Sequence, residues 1–156
     1  MEPARPLTPA DQGEPWAGYR FVRDVVPSGE HRHVHLHNLA IAELLFDARN
    51  TYITECAGLT WESLAASGRT LILRRLEIDF EREVRAGIPL RIGVRAASRS
   101  RRTVTFEEAV WSVDRAALIA VAKSVHLVVR VDTPGAIELP TDVVQRFESY
   151  EGRPLS

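Results

Sequence analysis

The sequence predicts an α+β domain in which an antiparallel sheet wraps around one long helix. Three observations lead there. Residues 39–56 are good helix formers without Gly or Pro, about sixty residues from Thr70 onward alternate apolar with polar side chains, and short Gly-, Pro- or Ser-bearing segments punctuate that alternation. At 156 residues the chain fits one hydrophobic core, which serves chains of roughly 100–200 residues. Hydrophobic residues at 45% and charged residues at 26% exclude a disordered or fibrous chain. Twenty Lys+Arg against 21 Asp+Glu leave a net charge of -1, so no whole-chain field favours nucleic acid or an anionic membrane. The single cysteine, Cys56, excludes an internal disulfide and any multi-cysteine metal site, which suits a reducing compartment.

The elements come in order. Residues 1–15 carry Pro3, Pro6, Pro9 and Pro15 with little apolar content to offset ordering entropy, so they read as a flexible arm ahead of a single domain over 16–156. Tyr19, Phe21, Val25 and Val26 suit a strand, which Pro27-Ser28-Gly29 breaks. Glu30-His31-Arg32-His33-Val34-His35-Leu36-His37-Asn38 then holds four of the five histidines. A helix is expected from Leu39 to Cys56, capped by Asn38 and stopped by Gly58. Its apolar residues (Leu39, Ile41, Leu44, Leu45, Phe46, Ile53) cover more than one face, the pattern of a helix enclosed by other elements. Trp61, Leu64 and Gly68 fall in a connecting segment. Four strands come next, around Ile72–Phe80, Leu90–Val94, Val104–Val110 and Ala117–Val131, with short connections expected to join them as antiparallel hairpins. Thr141–Tyr150 reads as a terminal helix behind Pro140. With no run of ~20 apolar residues and no apolar leader, a cytoplasmic protein is expected.

Four segments, in the same order, resemble the hotdog-fold acyl-CoA thioesterases of the 4-hydroxybenzoyl-CoA thioesterase type. His35-Leu36-His37-Asn38, ten residues ahead of Ala48-Arg49, is similar to that family's G-H-V-N-N lead-in to the helix and its A-R ending. Leu76-Glu77-Ile78-Asp79-Phe80-Glu81-Arg82-Glu83-Val84, with Gly87-Ile88-Pro89-Leu90 after it, is close to "I-D-Y-x-R-P then G-D-x-L". Ser124-Val125-His126-Leu127-Val128-Val129 and Ile137-Glu138-Leu139-Pro140 complete the match, which covers Phe21 to Gly152. The resemblance implies a hotdog fold and hydrolysis of acyl-CoA or carrier-protein thioesters. It also implies a homodimer with sheets joined edge to edge, or a dimer-of-dimers tetramer, with the thioester between subunits.

It implies too that the first free N–H of the helix, here that of Asn38, polarises the thioester carbonyl, since developing oxyanion charge is best met by fixed donors at a helix N-terminus. The family's acid is missing. One branch places Asp seven residues before the donor, where His31 stands; another places Asp or Glu eight residues after it, where Phe46 stands. Glu30 reaches the first slot with a one-residue shift, and Asp47 adjoins the second but is turned by about 100°. The thioesterases of enediyne polyketide assembly also lack the acid, with Asn in the first slot and Arg eighteen residues on; His31 and Arg49 reproduce that interval.

His31 is therefore the candidate base, an imidazole being able to accept a proton near neutral pH. His35 matches the family's loop histidine, which either holds the loop or binds substrate. The alternating histidines share one face if extended, and an H-x-H pair can bind Zn or Ni, but a polar loop ahead of a helix accounts for them as well; no metal and no cofactor are expected. Glu43 and Asp47, one turn apart on a helix expected to be enclosed, are either a catalytic carboxylate or partners of Arg49, Arg74 or another arginine. Arg49 is either such a partner or a substrate contact. Arg99, Arg101 and Arg102 form a hairpin tip able to grip coenzyme A phosphates. His126 reads as structural, and Trp61 and Trp111 as packing residues or pocket walls. A non-hydrolytic role stays open beside hydrolysis: binding of a thioester or polyketide-like ligand, or a lyase or cyclase step on a polyketide intermediate.

Overall fold

Alternation dictates the sheet. The computed structural model describes residues 13–28 and 38–156. Its strands are β1 (Phe21–Val25), β2 (Arg69–Phe80), β3 (Leu90–Arg99), β4 (Thr103–Ser112) and β5 (Leu118–Arg130), with helices α1 (Asn38–Thr51), α2 (Trp61–Ala66) and α3 (Thr141–Glu151). Val104, Phe106, Glu108 and Val110 fill the buried side of β4, as Ala120, Ala122, Ser124, His126 and Val128 do on β5. The result is the five-stranded antiparallel α+β arrangement with one long helix that the sequence predicts.

The strand order corrects one expectation. It runs β1-β3-β4-β5-β2, so β2 and β3 do not form a hairpin: β2 lies at the edge beside β5, and β3 sits between β4 and β1. Residues 81–89 can make that passage because nine extended residues reach ~30 Å, whereas three strand spacings take only ~14 Å. The passage is tied down as it goes. Glu81 and Arg82 donate their N–H groups to the Ile119 carbonyl, Gly87 donates to Pro27, and Pro89 accepts from Val113. Gly87 turns with φ 85°, a conformation costly for any residue with a Cβ. β1 pairs antiparallel with β3 from Phe21↔Val94 to Val25↔Leu90.

The long helix also departs from expectation. Its described residues start at Asn38. After Thr51 the helix widens into a π turn over Tyr52–Cys56, in which Ala57 donates to the Tyr52 carbonyl. Thr54 Oγ1 donates back to the Asn50 carbonyl at 2.8 Å, a side-chain bond that competes with the regular ladder. Nor is α1 enclosed by the described residues. Ile41, Leu45, Ala48 and Arg49 are buried, but Leu39 is 69% exposed, Phe46 is 54% exposed, and Glu43 and Asp47 face outward. The apolar residues form two stripes, and the described chain covers only one. The connecting segment, finally, contains α2, capped by Thr60 Oγ1 accepting from Ser63 N–H at 3.1 Å.

By compactness the described residues form two units, one drawn from residues 13–28, 38–49, 78–94 and 108–122, the other from Asn50–Glu77, Arg95–Glu107 and Lys123–Ser156. In the first, Trp16, Tyr19, Val22, Ala109 and Trp111 form a buried cluster, with Trp16 and Tyr19 both edge-on to Trp111. Gly93 leaves room for it, since a Cβ there would lie 2.7 Å from the Tyr19 ring. Arg91 lies over the Trp16 ring while forking onto Asp24. In the second, Tyr52, Phe106 and Phe147 pack together, and Tyr150 meets Tyr52 edge-on.

That second unit also closes an edge. Beyond Val94, β1 no longer covers β3. The Ala96 N–H donates to Tyr52 Oη at 3.0 Å and to Glu151 Oε1 at 3.1 Å, the Ala96 carbonyl accepts from Arg153 at 2.9 Å, and Arg99 N–H donates to the Ser156 carbonyl. Tyr52 Oη itself donates to Glu151 at 2.6 Å. Burial, reinforced by the Glu151 carboxylate, pushes the Tyr52 phenol far above its ordinary value. Leu155 is buried, and α3 ends at Gly152 in the left-handed conformation.

Candidate active site at the start of the long helix

The described part of α1 starts at Asn38, which puts the Asn38 N–H at the helix end where the macrodipole favours negative charge. Of the residues expected around it, His31 and His35 lie outside the described residues, as do Glu30, His33 and His37. Helical spacing sets the rest. Leu39, Glu43 and Phe46 fall within about 60° of one another on the outward face, and Asp47 lies beside them. A carboxylate is thus flanked by two exposed apolar side chains on a helix face that the described chain leaves open.

Arg49 points the other way. Its guanidinium forks onto both carboxylate oxygens of Glu108, through Nε to Oε1 and through NH2 to Oε2 at 3.1 Å, and both residues are almost wholly buried. Of the partners weighed from the sequence for Arg49, neither Glu43 nor Asp47 is the one forked here; it is an acid fifty-nine residues away. Sequence reasoning passed over Glu108, although a signal was there: it shares the strand parity of Val104, Phe106 and Val110, an acid on an apolar face, while its neighbour Glu107 turns outward to Arg95.

The arginine turn belongs to the second unit, the helix start to the first. Arg101 pairs with Glu138, and its carbonyl accepts from Leu139 N–H; Arg99 ends β3 with its backbone on Ser156; Arg102 is exposed. Trp61 is exposed, whereas Trp111 is buried in the aromatic cluster. His126 is buried with its ring edge-on to Phe106, consistent with a packing role. No described helix is long and apolar enough to cross a membrane. Among the described residues no cluster of three or more His, Cys, Asp or Glu could hold a metal, and the histidine run lies outside them.

A family profile matches residues 28–147, most of the chain, and it is that of the thioesterase-like superfamily. The chain belongs to the thioesterase-like superfamily. In this superfamily member the sheet order and long helix are those of the hotdog fold, as solved structures bear out. A 1,4-dihydroxy-2-naphthoyl-CoA thioesterase from Synechocystis superposes with a TM-score of 0.72 at 15% identity, covering 81% of this chain and 94% of its own. A thioesterase from Thermus thermophilus complexed with coenzyme A and Zn gives 0.73 at 20% identity, covering 89% and 99%. A Staphylococcus aureus protein, SAV2348, in complex with CoA gives 0.77 at 12%, covering 86% and 85%. At these identities the likeness carries the fold alone. No curated protein matches this superfamily member in sequence.

Proposed function

We propose that this superfamily member hydrolyses acyl thioesters of coenzyme A or of a carrier protein. The observation that carries the reading is the N-terminal end of α1, described from Asn38 onward, which sets the Asn38 N–H at the positive end of a helix within the span matched by the superfamily profile. A thioester oxygen placed against that N–H gains charge as water attacks, and a fixed donor stabilises it without reorganisation. His31, seven residues before Asn38, takes the proton from water, with His35 on the substrate side. Glu43 and Asp47, on the outward face of α1, are the candidate catalytic carboxylates. Two solved structures of the same fold hold coenzyme A, and the turn bearing Arg99, Arg101 and Arg102 supplies guanidinium forks for its phosphates.

The site is completed by a second copy. β2 is an uncovered edge strand twelve residues long, with Ile72, Leu73, Leu76 and Phe80 exposed, and the Leu39–Phe46 face of α1 is exposed too. A homodimer joined at β2, able to pair again as a tetramer, buries surfaces that a lone chain leaves apolar.

A second reading rests on Phe46 and His31, which occupy the positions where an acid would be expected: a thioester or polyketide-like ligand is bound without hydrolysis, or loses water in a lyase or cyclase step. One experiment separates them. Free thiol is measured across acyl-CoAs and acyl carrier proteins of differing chain length, with and without chelator. Hydrolysis predicts thiol release that survives the chelator and falls by about 10²–10⁴ in kcat for His31→Ala. Mass loss of water without thiol points to a lyase, and retained ligand without turnover to binding; either outcome overturns the hydrolytic reading.

A further inference from the structure

We propose that the buried Arg49–Glu108 pair is a register clamp: it fixes the axial position and rotation of α1, and through the helix the place of the Asn38 N–H, so that Arg49 is a positioning residue. The inference rests on the thioester reading of the helix start. The remaining contacts of the buried stripe, from Ile41, Leu45 and Ala48, are apolar and therefore non-directional. Such a stripe holds a helix against a sheet while tolerating small slides and turns. A guanidinium forked onto both oxygens of one carboxylate tolerates neither, because both bonds must keep their lengths and directions.

Position along the helix makes the clamp effective. Arg49 comes eleven residues after Asn38, which brings the two to within about 20° of the same side and about 16 Å apart along the axis. Residues 39–48 contain neither Gly nor Pro, so the intervening turns transmit displacement as a rigid rod. Just past Arg49 the ladder widens into the π turn at Tyr52–Cys56. The departure from regular helix geometry therefore lies beyond the clamp, and residues 39–48 between Asn38 and Arg49 stay regular.

Stability alone is a poor reason for the pair. Two charges brought out of water lose hydration that their attraction only partly returns, and apolar residues of similar volume often serve stability as well or better. What apolar replacements cannot supply is direction.

The test replaces both partners together, Arg49→Met with Glu108→Leu, so that no lone charge is left buried. The thermal midpoint is expected to stay within about 4 °C of wild type or to rise. For a thioester that the wild type hydrolyses, kcat is expected to fall at least tenfold while KM stays within twofold, and amide exchange at Ala42–Leu45, whose carbonyl partners lie in the first helical turn, to quicken at least tenfold. Arg49→Lys, which keeps the charge and loses the fork, should show the same split without full rescue. A double variant with wild-type kcat and wild-type amide protection overturns the clamp. If the wild type releases no thiol from any ester, the hydrolytic reading fails while amide exchange still decides the clamp. If the double variant does not fold, Glu108→Gln is measured in the same way: faster exchange at Ala42–Leu45 supports the clamp, and unchanged exchange overturns it.

Discussion

Past Val94, where β1 no longer covers β3, the N–H of Ala96 is taken by Tyr52 and Glu151 and its carbonyl by Arg153, whereas β2, at the other end of the strand order, presents a twelve-residue edge with Ile72, Leu73, Leu76 and Phe80 between 39% and 44% exposed. An unpaired strand edge is a template for another strand, and proteins usually blunt it. Here one edge is blunted by the side chains of Tyr52, Glu151 and Arg153, and the other stays long among the described residues, with four large apolar side chains exposed between charged ones. The difference teaches that the described chain closes one edge with its own side chains and leaves the other exposed, which makes β2 the place to test the proposed homodimer.

The largest effect should come from spoiling the open edge. Ile72 and Leu76 share one face of β2, so Ile72→Glu with Leu76→Glu buries charge in any pairing there and is expected to weaken self-association at least about 100-fold by sedimentation equilibrium. A wild-type chain that sediments as a monomer at micromolar concentration would break the comparison itself. Next comes opening the closed edge. Removing residues 153–156 exposes the Leu155 site and frees the Ala96 carbonyl, lowering unfolding free energy by about 2–4 kcal/mol in urea and producing new, concentration-dependent association through β3.

The smallest effect is Tyr52→Phe, about 1 kcal/mol near neutral pH, because Glu151 still accepts from Ala96 N–H. Its sign with pH is fixed. The folded phenol is held protonated by burial and by Glu151, so its pKa lies above the unfolded value of about 10. That contribution is whole below about pH 10 and is lost as pH rises beyond it. The gap between the urea midpoints of wild type and Tyr52→Phe should therefore narrow from pH 8 to pH 10.5.

The sequence made some of this legible and hid the rest for physical reasons. Alternation at 104, 106, 108 and 110 and from 118 to 130 reveals strands because side chains on a strand must alternate. It says nothing about which strand lies alongside, so chain order alone puts β2 beside β3 rather than beside β5. Two apolar stripes on α1 announced two covered faces, but periodicity cannot tell whether the cover is the same chain or another, and Leu39, Phe46, Glu43 and Asp47 proved outward-facing. The helix around residues 38–51 was legible because good helix formers follow one another without Gly or Pro. The partner of Arg49 was illegible because Glu108 lies fifty-nine residues away. The cap at Thr60 was readable from Thr60-Trp61-Glu62-Ser63, but the helix after it is too short to show periodicity.

The strand order also bears on how the chain is made. β3, β4 and β5 meet through turns at 100–102 and 113–117, so their pairing closes small loops, while Val25 must wait for Leu90 and β2 for β5. During synthesis β1, α1 and β2 leave the ribosome before any strand they pair with exists. The backbone of β2 then has no partner strand until residue 130 has emerged, an interval of several seconds at roughly 5–20 residues per second, in which aggregation competes with folding and chaperones have most to bind.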